Sequence, residues 1–148
     1  MEIVVKTFDS LSLKELHDLL QLRSEVFVVE QDCVYQDIDG KDEKALHVLG
    51  FSNGTLAAYT RCFAPGIYFK EAAIGRVVVS KHFRGKDYGH IIMKESLDAI
   101  LKYYQTETVK VSAQTYLKGF YNAHGFESTG EEYLEDGIPH IAMIKTPA

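Results

Sequence analysis

The pattern of hydrophobic and polar positions predicts an alternation of strands and helices along the chain. Residues 2–8 are rich in β-branched and aromatic side chains, which is typical of a strand. Ser12 lies three residues before Glu15, and this capping-box pattern marks the start of a helix. Two apolar stripes follow at helical spacing, formed by Leu13, Leu16, Leu20 and Phe27 and by Leu19, Leu22 and Val26. We therefore expect a well-buried helix that ends or bends in the β-branched run 26–29.

The middle of the chain is predicted to form a loop followed by a meander of strands. Segment 31–45 is polar and acidic, and its length as a loop suggests a functional role. Apolar segments 46–51 and 55–63 are separated by Ser52-Asn53-Gly54, which is typical of a hairpin turn. A further strand is expected within residues 67–79, with a bulge at Gly75 because glycine inside a strand often marks one.

The second half of the sequence is predicted to form two helices and three strands. A helix begins after Gly85, with apolar residues at three-to-four spacing at Met93, Leu97, Ile100, Leu101 and Tyr104. A strand at 106–113, a short helix at 115–124 closed by Gly125, and a hairpin of strands 126–133 and 138–144 follow. The predicted order is β-α-β-β-β-α-β-α-β-β. This order indicates a mixed α/β (α+β) domain with a central meander, and not a doubly wound dinucleotide fold.

The composition excludes some functional classes but does not indicate a particular reaction. A chain of 148 residues is the size of one domain, and we expect residues 1–148 to form it. Its 16 basic and 21 acidic residues give a net charge of −5, which argues against nucleic-acid binding. Isolated cysteines at 33 and 62, the lack of a signal-peptide pattern and the lack of a long apolar run predict a cytoplasmic protein that does not enter a membrane.

The segment 77–90 carries the strongest chemical pattern. A hydrophobic strand, Val77-Val78-Val79, leads into a glycine-containing loop that opens directly into a helix. Such a junction gathers unpaired backbone N–H groups at the positive end of the helix dipole, where a phosphate binds well. Arg84 and Lys86 add formal positive charge, so the segment suits a pyrophosphate. A plain strand-to-helix turn is the alternative, and neither GxxxxGK[ST] nor GxGxxG is present.

The run Arg84-Gly85-Lys86-Asp87-Tyr88-Gly89 resembles motif A, Q/R-x-x-G-x-G/A, of the GNAT superfamily of acetyl-CoA-dependent N-acetyltransferases. Arg84 and Gly89 match the motif, whereas Asp87 stands where the family usually has glycine. Aspartate tolerates left-handed backbone better than most residues. Its carboxylate would repel a pyrophosphate unless it turns to solvent or pairs with Lys86 or His90.

Three further blocks extend the resemblance over most of the chain. Residues 120–126 resemble the family's FYxxxGF signature, and residues 22–31 and 135–140 resemble the ElaA-like branch. The resemblance implies a mostly antiparallel sheet flanked by helices. It also implies direct transfer of an acetyl group from acetyl-CoA to an amine of a small molecule or protein, without a metal, and it allows a homodimer.

The resemblance also assigns roles to individual residues. A backbone N–H of Val77 or Val78 would polarise the thioester carbonyl. Tyr121 occupies the position of the family's general acid, and a phenol with a reference pKa of about 10 is protonated at neutral pH. The implied cofactor-binding residues are Val77, Val78, Val79, Arg84, Gly85, Lys86, Asp87, Tyr88, Gly89, His90, Gln114 and Tyr121.

Several roles stay open in the sequence. Glu30, His47 and His140 are candidates for the general base, with Glu30 and His140 first. Arg76 would either contact an anionic substrate group or pair with an acidic neighbour.

Segment 37–43 departs from a calcium loop and is expected to be a solvated acidic loop near the acceptor entrance, which would favour a cationic amine. No HExxH or CxxC pattern indicates a metal. A non-catalytic acyl-CoA-binding module is the alternative function, since Asp87 weakens the motif while Tyr121 favours an enzyme.

Overall fold

The computed structural model describes residues 1–148 and contains one seven-stranded sheet with the order β1-β2-β3-β4-β5-β7-β6. All neighbouring strands are antiparallel except β4 and β5. The strands are β1 (Glu2–Thr7), β2 (Leu46–Ser52), β3 (Thr55–Phe63), β4 (Ala72–Val79), β5 (Val109–Gln114), β6 (Phe126–Glu135) and β7 (Ile138–Lys145). The α-helices are α1 (Leu13–Arg23), α2 (Tyr88–Tyr104) and α3 (Lys118–Asn122). The predicted mixed, mostly antiparallel fold and its order of elements are confirmed.

The first helix begins at the predicted cap, but its regular part ends at Arg23, before the β-branched run, and Leu13 of the predicted apolar stripe is exposed. The Ser12 hydroxyl accepts from the Glu15 N–H while the Glu15 carboxylate accepts from the Ser12 N–H, which completes a capping box. After Arg23 the regular helix gives way to a π-helical segment, Ser24–Glu30, which contains the β-branched run. π-Helical turns are rare in proteins, and those that occur are often found at functional sites.

The two long helices cover opposite faces of the sheet. Ile92, Met93 and Ile100 of α2 pack in one core with Ala58 and Cys62 of β3. On the other face, Leu19 and Leu22 of α1 pack with Leu49, Tyr59 and Val78. Residues 58 and 59 point to opposite faces because side chains alternate along a strand. None of the helices combines the length and apolar character needed to cross a bilayer.

The sheet opens between β4 and β5. These parallel strands pair only at Ala72 with Val109 and at Ala73 with Lys110. Beyond that point they diverge, while β5 pairs along its whole length with β7. The edge of β4 that faces β5 therefore has no strand partner over residues 74–79.

The bulge in β4 lies one residue beyond its predicted position. Gly75 pairs with Arg61 and Val78 pairs with Tyr59, so Arg76 and Val77 together oppose Thr60. Arg76, and not Gly75, takes the left-handed conformation, with φ of +49°. The expectation of a bulge at Gly75 is therefore wrong by one residue.

Two strands have boundaries that differ from the predicted ones. Strand β4 starts only at Ala72, because residues 64–71 form turns. Strand β6 continues to Glu135, which leaves Asp136 and Gly137 as a two-residue turn. Both turn residues have positive φ, 51° and 78°, as a type I′ hairpin turn requires.

Candidate active site

The opening between β4 and β5 holds a cavity of about 530 Å³. Residues 73–79 of β4 form one wall, and Ser112 and Gln114 of β5 form the opposite wall. Phe27 of the π-helical segment and Phe120 of α3 close the cavity on its other sides. The unpaired backbone edge of β4 thus faces a space of ligand size.

Most of the predicted site residues meet at this cavity. Those that line it are Val77, Val78, Val79, Arg84, Gly89, Gln114, Tyr121, Glu30 and His140. Gly85, Lys86, Asp87, Tyr88 and His90 belong to the adjoining loop and first helical turn but do not line the cavity. Lys86 and Tyr88 instead border a shallow depression beside β1, where the Tyr88 hydroxyl is 3.0 Å from that of Ser52.

The loop before α2 places Asp87 in the left-handed region of backbone conformation. Asp87 has φ of 61° and ψ of 18°, a left-handed conformation at the position where the family usually has glycine. Its side chain is exposed and caps no backbone group, so the carboxylate is turned to solvent. A Cβ at Gly89 would lie only 3.3 Å from Cε1 of Phe120, so glycine lets the helix start close to the cavity wall.

The Arg84 side chain is held by Glu30. Nη2 of Arg84 is 2.8 Å from Oε1 of Glu30, and Nη1 contacts Oε2. The guanidinium also donates to the Val79 carbonyl at 3.2 Å from Nη2 and 3.3 Å from Nε. The hydrogen bond from Arg84 holds the pKa of Glu30 below its ordinary value. This pair makes Glu30 a weak proton acceptor.

Tyr121 lies in the cavity wall with its phenol protonated. The residue is 6% exposed, and its ring packs edge-on against Phe120 and Phe126 at centroid distances of 5.1 and 5.8 Å. Burial raises the pKa of this phenol above its ordinary value. No group of the chain hydrogen-bonds to the hydroxyl, which leaves it available to a ligand in the cavity.

The two candidate histidines have different surroundings. In His140, Nδ1 donates to the Ile138 carbonyl at 2.7 Å, and Nε2 lies 3.2 Å from Oε2 of Glu135. His140 lines the cavity. His47 lies away from it, where Nδ1 accepts from the Tyr59 hydroxyl at 2.6 Å and Nε2 donates to the Asp42 carbonyl at 3.0 Å. Burial lowers the pKa of His47, so it remains neutral.

Three aspartates of the predicted solvated acidic loop instead form an ionic cluster with arginines. Arg23, 0% exposed, places Nε 2.9 Å from Oδ2 of Asp37 and Nη1 2.8 Å from Oδ1 of Asp42. Arg61, 1% exposed, reaches Asp42 at 3.0 Å and Asp39 at 2.7 Å. Burial alone would raise the pKa of Asp42, but the hydrogen bonds from both arginines outweigh it and lower that pKa. The expectation of a solvated loop is therefore wrong for these aspartates, because they pair with arginines distant in sequence, whereas Glu43 of the same loop is exposed.

Three aromatic residues that line the cavity were not predicted from the sequence, and we call the part of the cavity that they line its aromatic end. They are Phe63, Tyr68 and Phe69. The ring of Phe63 stacks on that of Tyr68 at a centroid distance of 5.2 Å, and the ring of Tyr68 is edge-on to that of Phe69 at 4.8 Å. Two of these aromatic residues lie in the turn 64–71. Aromatic residues in a turn are the one signal that indicates a binding surface there.

A parallel strand pair that opens around a cavity, with a glycine-containing loop and a helix connecting its two strands, defines the acyl-CoA N-acyltransferase class. A family model described as an acetyltransferase (GNAT) domain matches residues 11–147, and the chain belongs to this family. It falls in the ElaA-like branch, as its 43% identity over 137 residues to the protein ElaA of Escherichia coli shows. That match covers 91% of this chain and 90% of ElaA.

Solved structures agree with this assignment. A crystal structure of an acyl-CoA N-acyltransferase from Pseudomonas aeruginosa superposes with a TM-score of 0.92 at 42% identity, covering 99% of this chain and 100% of that chain. The crystal structure of Escherichia coli ElaA gives a TM-score of 0.89 at 40% identity, with coverage of 98% and 99%.

Proposed function

We propose that this protein is an acetyl-CoA-dependent N-acetyltransferase that acts on an amine of a small molecule or protein. The observation that carries the proposal is the unpaired edge of β4 over residues 74–79, which faces the cavity. An extended pantetheine arm carries amide groups that can hydrogen-bond to such an edge as a neighbouring strand would. The N–H of Val77 or Val78 would then polarise the thioester carbonyl.

The diphosphate of the cofactor would bind at the loop 84–89 and the start of α2. Residues Arg84 and Gly89 border the cavity there, and the 17-residue helix directs its positive end to the same place. The solvent-directed Asp87 carboxylate leaves the backbone N–H groups of the loop available. The reaction needs no resident metal in this scheme.

Tyr121 is proposed as the general acid and His140 as the general base. The protonated phenol of Tyr121 would donate to the departing thiolate of coenzyme A. The carbonyl of Ile138 accepts only from a protonated Nδ1, so Nε2 is the ring nitrogen that would take a proton from the attacking amine, and the Glu135 carboxylate 3.2 Å from Nε2 would stabilise the imidazolium that forms. Glu30 is a weaker candidate because Arg84 neutralises its carboxylate.

The test separates an enzyme from a binding module. Acetyl-CoA at one hundred times its Kd should stabilise the fold by about 2.7 kcal/mol in thermal unfolding. Thiol release is then measured over a panel of amines, including polyamines, amino acids and peptide N-termini. Tyr121→Phe is the matched variant, since it removes only the hydroxyl.

We expect stabilisation together with thiol release that Tyr121→Phe suppresses. Stabilisation without thiol release on any amine would favour a non-catalytic acyl-CoA-binding module. An unchanged rate in Tyr121→Phe would remove this residue from the mechanism.

A further inference from the structure

Arg76 has a backbone conformation that its own side chain does not favour. It is a non-glycine residue with φ of +49°, at the extra position of the bulge in β4. L-residues other than Asn and Asp take up this region infrequently, and they persist there only when their surroundings hold them. Something outside the strand must therefore fix this residue.

The side chain of Arg76 is anchored to the loop 31–45. Its Nε lies 2.8 Å from Oδ1 of Asp37, an ionic contact too bent for a hydrogen bond, and its Nη2 donates to the Asp37 carbonyl at 3.0 Å. The guanidinium also lies 5.7 Å from the centre of the Tyr35 ring. Asp37 is 7% exposed and is itself held by the fully buried Arg23.

This anchor acts at the point where the thioester is proposed to bind. Val77 and Val78 directly follow Arg76, and both line the cavity. Because a peptide plane is rigid, the φ and ψ of Arg76 set the direction of the next amide N–H. Asp37 does not line the cavity, so it influences a ligand there through the lining residues that it holds, Arg76 and Tyr35.

We propose that Arg76 is a positioning residue, whose side chain, clamped by Asp37, holds the left-handed bulge so that the following backbone N–H faces the thioester carbonyl. The proposal rests on the proposed acetyl-CoA-dependent function. It assigns the buried arginine–aspartate cluster a role in aligning the reacting carbonyl, in addition to holding the loop.

The test reads the carbonyl directly. Acetyl-CoA carrying a ¹³C-labelled thioester carbonyl is bound to the protein, and its stretching frequency is measured by isotope-edited infrared spectroscopy. The parent protein is compared with three variants of the full chain, Arg76→Met, Asp37→Asn and Lys110→Met. Lys110→Met is the charge-matched control, because Lys110 is near the aromatic end but does not line the cavity. Calorimetry gives the acetyl-CoA Kd, and thermal unfolding confirms that each variant is folded.

The parent protein and Lys110→Met should lower the carbonyl frequency relative to free acetyl-CoA. Arg76→Met and Asp37→Asn should bind acetyl-CoA with little change in Kd but lose most of that shift. On an amine identified by the panel, their kcat should fall roughly tenfold to a hundredfold, as expected when a carbonyl-polarising donor is misaligned.

An unchanged carbonyl frequency and kcat in a folded Arg76→Met protein would overturn the inference while leaving the proposed function in place. Arg76→Met decides the matter even if Asp37→Asn fails to fold, because the Arg76 side chain is 19% exposed and tolerates replacement better than the buried carboxylate. Failure of the parent protein to bind acetyl-CoA would instead refute the proposed function, and the inference with it.

Discussion

Replacing Glu30 by glutamine separates two incompatible roles for this carboxylate. In the structure it neutralises Arg84, the cation at the proposed diphosphate site. A bound diphosphate must either share Arg84 with that carboxylate or displace the carboxylate from it. If this pairing is its role, Glu30→Gln should release Arg84 and tighten coenzyme A binding. If Glu30 is the general base, the same variant should abolish turnover.

The size of the first effect follows from the exposure of the pair. The side chains of Arg84 and Glu30 are 44% and 36% exposed, so water screens their attraction. Exposed pairs of this kind contribute about 0.2–1 kcal/mol. A gain of that size corresponds to at most about fivefold tighter binding, since 1.4 kcal/mol is tenfold. Loss of a general base would instead reduce kcat by about 10²–10⁴-fold.

The assay is calorimetric titration with coenzyme A, followed by thiol release with acetyl-CoA. Glu25→Gln is the control, since Glu25 is an exposed carboxylate on the same π-helical segment and does not line the cavity. Raising the salt concentration should shrink the difference between Glu30→Gln and the parent protein. Binding in Glu30→Gln no tighter than in Glu25→Gln would refute the reasoning, and a hundredfold loss of kcat would restore Glu30 as the base.

Three further outcomes are expected. Asp87→Gly should tighten coenzyme A binding in calorimetry, because glycine keeps the left-handed φ of 61° and removes a carboxylate from the loop; unchanged or weaker binding would contradict this. Tyr121→Phe should lower kcat far more than it alters the Kd for acetyl-CoA, and equal effects on both would indicate a packing role. Asp42→Asn should lower the free energy of unfolding in urea by about 3–5 kcal/mol, because it leaves Arg23 and Arg61 with an uncompensated buried charge; a change below about 1 kcal/mol would show that the cluster reorganises. The pKa of Asp42 is lower in the folded state than its unfolded value near 3.9. The ionised carboxylate therefore stabilises the fold above that pH, and this contribution is lost as the pH falls below it. On acidification from pH 5, the parent protein should lose more free energy of unfolding than Asp42→Asn.

The elements of this fold were predictable because their signals are local. The capping box at Ser12, the apolar stripes of α1 and the turn at Asn53 and Gly54 all depend on residues within a few positions of one another. The loop before α2 was predictable for the same reason. Its left-handed Asp87 is recognisable from a six-residue motif.

The parts that escaped prediction depend on contacts between distant residues. Arg76 takes the left-handed conformation in place of Gly75, and the carboxylate that anchors it is 39 positions away in the sequence. Likewise, the partners of Asp42 lie on α1 and β3, so the sequence alone gives an acidic loop without its arginines. Residue types reveal the charges of such a cluster, but only the fold reveals how they pair.

The divergence of β4 and β5 has a consequence for solubility as well as for binding. Unpaired strand edges commonly promote association with other chains, and they usually lie at the periphery of a sheet. Here such an edge lies in the interior of the sheet, between β5 on one side and the side chains of Phe27 and Phe120 on the others. The residues that line this cavity of about 530 Å³ cover the unpaired edge of β4, as helices and loops cover exposed edges in other sheets. The fold thus leaves backbone hydrogen-bonding groups unpaired inside the sheet, where they are shielded from association with other chains.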